Sequence, residues 1–73
     1  MTQKDIISNL VDMMELEEGD LSVNSVLADF DEWDSISKLS LIAFAKKEYG
    51  KKLVSEDIHK FIIVQDIIDW LEK

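Results

Sequence analysis

Seventy-three residues with 47% apolar and 33% charged content make one folded domain, 1–73, and leave no room for a second. The chain has no cysteine, which excludes disulfides, a thiol nucleophile and a cysteine metal site. A net charge of −8 disfavours nucleic acid and anionic membrane surfaces as partners. No apolar run has the length of a membrane span, and Met1-Thr2-Gln3-Lys4-Asp5 lacks the character of a signal peptide, so a soluble, cytoplasmic monomer is the expectation.

Thr2 with Asp5 three residues on resembles a capping box, and Ile6, Ile7, Leu10, Val11, Met13 and Met14 recur at helical spacing. These predict a first helix over about 3–15, with the methionines as core filler. Leu16-Glu17-Glu18-Gly19-Asp20 reads as its exit, with Gly19 at a left-handed turn. Residues 17–34 keep no helical period. Leu21, Val23, Val26, Leu27 and Phe30 nevertheless recur often enough to tie this stretch to a core, with a short helical turn around Val23–Ala28.

A second helix is expected from Ser35 or Ile36 to Tyr49, ended by Gly50. Asp34 or Ser35 caps it, and on these residues alone capping is the plain reading. A side chain there also projects where free backbone N–H groups and the helix dipole favour a phosphate. Ile36, Leu39, Ile42 and Ala43 share one face, and Leu41, Phe44 and Ala45 widen the apolar surface. A helix this apolar is either central to the core or leaves side chains for a ligand or partner.

Ser55-Glu56-Asp57 reads as the cap of a short third helix over about 56–61. Val64, Ile67, Ile68 and Leu71 predict a fourth over about 64–72. Ile62 and Ile63 stand where a polar cap is expected. The fold class that follows is all-α, a small four-helix bundle with a long connection between helices 1 and 2.

Charge is unevenly spread. Residues 1–35 carry ten acids against Lys4, a net of −9, while residues 36–52 carry Lys38, Lys46, Lys47, Lys51 and Lys52 against Glu48, a net of +4. Either these are solvated faces or the basic segment selects a partner.

Enzyme chemistry finds little support. His59 is the single histidine, which excludes a multi-histidine metal site. An EF-hand loop counted from Asp29 puts Asp34 at the glycine position and Ser40 at the bidentate glutamate, so the motif fails, although the acidic loop could bind divalent ions weakly. Gly19 and Gly50 form no phosphate-cradling loop. An acidic helical domain with a serine opening its second helix remains, laid out so that another enzyme could reach the hydroxyl.

At this point the chain resembles the acyl carrier protein family over essentially its whole length. The resemblance rests on Asp34-Ser35-Ile36, on Val64-Gln65-Asp66-Ile67-Ile68-Asp69 opening the last helix, and on the spacing between them. Glu32-Trp33-Asp34-Ser35 looks more like stand-alone specialised carriers, or carrier domains of modular synthases, than like the main fatty-acid carrier. The resemblance implies a non-catalytic protein whose Ser35 hydroxyl receives phosphopantetheine from coenzyme A through a phosphopantetheinyl transferase. The arm's thiol then holds an acyl group as a thioester, placed there by a loading enzyme and presented to downstream transferases or synthases. Asp34 and Ile36 match positions that contact the transferase and partner enzymes.

Departures from the family pattern matter as much. The family's second helix is usually acidic; here it holds Lys38, Lys46 and Lys47, with Glu48 as its single acid. Those four residues join Asp34 and Ile36 as candidate partner contacts, and poor docking on standard fatty-acid enzymes is expected. Leu39, Ile62 and Ile63 are candidate contacts for the arm or its cargo, the isoleucines standing where the family usually has threonines. An aminoacyl or peptidyl carrier is the alternative with the same arm. An unmodified acidic interaction module is the alternative of another class.

Overall fold

The structure is a computed structural model that describes residues 1–73. Four helices, α1 (Gln3–Met13), α2 (Ser35–Tyr49), α3 (Ser55–His59) and α4 (Val64–Glu72), enclose one core; a single 3₁₀ turn, Leu27–Asp29, interrupts the long α1–α2 connection. α1 packs on both α2 and α4. Fourteen buried apolar residues form the core, with Ile6, Leu10, Leu27, Leu41, Ile67 and Leu71 almost wholly removed from water. No helix is long and apolar enough to cross a membrane.

The expected capping box opens α1. Asp5 N–H donates to Thr2 Oγ1 at 3.2 Å, and Thr2 N–H donates to Asp5 Oδ2 at 3.1 Å. The exit differs from expectation. α1 ends at Met13, Leu16 N–H returns to the Val11 carbonyl at 2.9 Å, and Glu15, not Gly19, takes the left-handed conformation that closes the helix, at φ 54°. This tight reversal lets Met14 be buried directly after the last turn. Gly19, at φ 94°, serves a later turn.

The long connection is ordered by pairing. Val26 and Ile63 form an antiparallel bridge. Leu27 N–H donates to the Ile62 carbonyl (2.9 Å), Val64 N–H to Ser25 (3.1 Å) and Gln65 N–H to Val23 (2.9 Å). Val23 and Asn24 form a turn, closed by Ser25 N–H on the Ser22 carbonyl at 3.1 Å, and Ser25–Val26 run against the approach to α4. The helical turn expected around Val23–Ala28 is displaced to Leu27–Asp29 for that reason.

α2 begins and ends as its sequence predicts, with Gly50 in the left-handed conformation at φ 63°. The sequence leaves open which face it buries. Ser37, Leu41 and Ala45 face the core, while Ile36, Leu39 and Ala43 are exposed and Ile42 is half-buried. Apolar residues surround this helix on nearly all sides, so periodicity could not select a face. The small Ser37 and Ala45 sit on the core side, where they leave room for the neighbouring helix.

α3 is one short turn anchored by buried Ile58 and starts one residue before the predicted span. Ser55 is its first helical residue and not its cap; Val54 holds the cap position and its N–H donates to Asp57 Oδ2 at 3.3 Å. α4 solves the missing cap in a similar way. Asp66 reaches back and accepts from Ile62 N–H (2.9 Å) and Ile63 N–H (3.0 Å), so two apolar residues can precede the helix. At its other end Lys51 Nζ donates to the Trp70 and Lys73 carbonyls at 2.8 and 2.9 Å and lies 5.2 Å from the Trp70 ring centre.

Candidate functional site

The start of α2 divides its work among three neighbours. Asp34 is the cap: its Oδ1 accepts from Ser37 N–H at 3.0 Å. Ser37 is buried, and its hydroxyl donates to the Glu32 carbonyl at 2.6 Å with the Met13 carbonyl 3.3 Å away. One hydroxyl thus holds the end of the long connection and the end of α1 against the first turn of α2. Ser35, between them, is exposed and is the first residue of the helix. With capping assigned to Asp34, the Ser35 hydroxyl is left free for chemistry. At this helix start the Ser35 and Ile36 N–H groups have no intrahelical acceptor, and the dipole favours an anion on the serine oxygen.

A groove of about 290 Å³ opens beside Ser35 between α2 and α3. Leu39, Ile42 and Ile58 supply its apolar lining, and Lys38, Ser55 and His59 stand with Ser35 as its polar groups. Of the predicted arm contacts, Leu39 lines this groove. Ile62 is 65% exposed, Ile63 is half-buried in the pairing with Val26, and neither lines it. His59 is exposed and borders the groove.

The predicted partner residues separate into two places. Asp34, Ile36 and Lys38 surround Ser35. Lys46, Lys47 and Glu48 are exposed at the far end of α2, about 16 Å or more along the helix. Lys38 is drawn back over Trp33, its ammonium 5.7 Å from the ring centre. Asp29, Asp31, Glu32 and Asp34 do not gather into a group able to hold a metal ion.

Sequence reasoning missed Ser37, His59 and the Lys38–Trp33 pair. For Ser37 a signal existed: it stands three residues after Asp34, the spacing of a capped first turn. No local signal marked His59, because its place beside Ser35 depends on how α3 folds back. Searches of protein-family models, of curated proteins and of solved structures find no match for this chain.

Proposed function

We propose that the chain is a non-catalytic carrier that holds an acyl group as a thioester on a phosphopantetheine arm attached to Ser35. The observation that carries this reading is the separation of duties at α2: Asp34 caps, Ser37 fastens, and Ser35 stands exposed with a free hydroxyl. A serine serving only as a helix cap would have its oxygen engaged with a backbone N–H, as Asp34 has.

The local chemistry suits the group. In the attachment step the Ser35 oxygen forms the bond to phosphorus, its proton passes to the transferase, and the adenosine bisphosphate half of coenzyme A leaves. The resulting phosphodiester anion lies at a helix N-terminus, where the dipole stabilises it. When bound, the arm supplies the thiol that this cysteine-free chain lacks. The open groove beginning at Ser35 offers an apolar lining of Leu39, Ile42 and Ile58 for a short cargo. Cytoplasmic residence and a role in a specialised biosynthetic pathway belong to the same proposal.

The test is the intact mass after incubation with coenzyme A and a broad-specificity phosphopantetheinyl transferase, beside the Ser35→Ala variant. The expected result is a gain of one phosphopantetheine that the variant lacks. No gain on folded protein with several transferases would overturn the reading.

A further inference from the structure

Ser35, Lys38, Leu39 and Ile42 fall at i, i+3, i+4 and i+7 and make one stripe of α2. Ser55, Ile58 and His59 fall at i, i+3 and i+4 and make the facing stripe of α3. The two stripes line the groove of about 290 Å³ that opens at Ser35. Its polar side chains are an ammonium, an imidazole and two hydroxyls, and none of the chain's sixteen acidic residues lines it. Asp34, Glu56 and Asp57, close by in sequence, all stay outside the lining. In a chain of net charge −8 the groove is thus a locally basic place with an apolar lining. Lys38 is half-buried, and its ammonium lies 5.7 Å from the Trp33 ring centre, against a neutral partner that leaves its charge uncompensated.

We infer that this groove selects the cargo: a short acyl group whose free end bears a carboxylate. The inference rests on the carrier reading and names the substrate class for it. The cargo's methylenes lie against Leu39, Ile42 and Ile58. Its carboxylate accepts a charge-assisted bond from Lys38 Nζ and further bonds from the His59 ring N–H and the Ser55 hydroxyl. A few polar groups set in an apolar lining fix orientation and specificity in this way. A long alkyl chain gains little here, because it strips water from Lys38 and the hydroxyls without replacing their hydrogen bonds. An acyl group ending in an ammonium meets the like charge of Lys38, so the groove disfavours an aminoacyl cargo.

The test loads Ser35 from succinyl-, butyryl- and β-alanyl-coenzyme A, whose acyl groups are close in size and end in a carboxylate, a methyl and an ammonium. Intact mass is read first, and a gain from none of them sinks the carrier reading and this inference together. Amide shifts of the isotope-labelled chain, measured against the arm with a free thiol, then report what enters the groove. The succinyl arm should shift residues 38, 42, 58 and 59 and show nuclear Overhauser contacts from its methylenes to the Ile42 and Ile58 methyls. The butyryl arm should give about a third of that response and the β-alanyl arm the least. Lys38→Gln with His59→Gln should lower the succinyl response to the butyryl level, while Lys38→Arg retains it. Circular dichroism checks that each variant folds, and the comparison of arms on the parent chain needs no variant. Equal responses from the succinyl and butyryl arms, or the largest from β-alanyl, overturn the inference and leave the carrier reading standing. A succinyl response that survives the double substitution does the same.

Discussion

Asp34, Ser35 and Ser37 are close in sequence and small or polar, yet the structure gives them unequal energetic weight. Asp34→Ala removes a cap and should cost about 1 kcal/mol. Ser37→Ala removes the short hydrogen bond to the Glu32 carbonyl in a part-buried setting, and with it the tie to the end of α1, and should cost about 1–3 kcal/mol. Ser35→Ala removes an exposed hydroxyl that supports nothing and should stay within about 0.5 kcal/mol of the parent. Urea unfolding of the three variants checks this order. A Ser35→Ala loss as large as that of Asp34→Ala would show that the serine oxygen is needed for the cap and undercut its assignment to modification. The sequence allowed Asp34 or Ser35 as cap; the distance from Asp34 Oδ1 to Ser37 N–H decides it.

At the level of elements, the approach to α4 is where the long connection, α3 and the last helix meet, and Asp66 organises it. Two backbone N–H bonds, from Ile63 and Ile62, favour its carboxylate and hold its pKa below the ordinary value. A carboxylate with a depressed folded pKa contributes stability that is fully present above the unfolded pKa, near 3.8. That contribution is lost as pH falls through the folded value. Asp66→Asn keeps an acceptor oxygen but cannot titrate, so its melting temperature should fall less steeply below about pH 4 than the parent's. Parallel acid limbs would show that Asp66 is not a source of the acid sensitivity. The same turn shows the limit of local reading: Ile62 and Ile63 look uncapped because the capping group lies inside α4, and the pairing of Val26 with Ile63 leaves no local mark because the two are distant in sequence.

Across the whole molecule, the acidic first half and basic second helix do not simply cancel. Lys51 is committed to carbonyls at the end of α4 and Lys38 to the Trp33 ring. The net of −9 on residues 1–35 is therefore left to repel itself, and added salt or magnesium should raise the melting temperature by screening it. A melting temperature indifferent to both would mean that lysines already neutralise the carboxylates in solution. By itself the sequence determined four helices, the limits of α2 and α4, the buried positions of α4, the charge asymmetry and the exposed serine. Caps, Gly50 and helical periodicity act over a few residues and can be read from them. Tertiary structure alone decided which side of α2 is buried, that the long connection is fastened to residues 62–65, and that His59 borders the groove at Ser35. Each depends on which distant segment supplies the opposing surface, and a helix apolar on nearly every side carries no local mark of that choice.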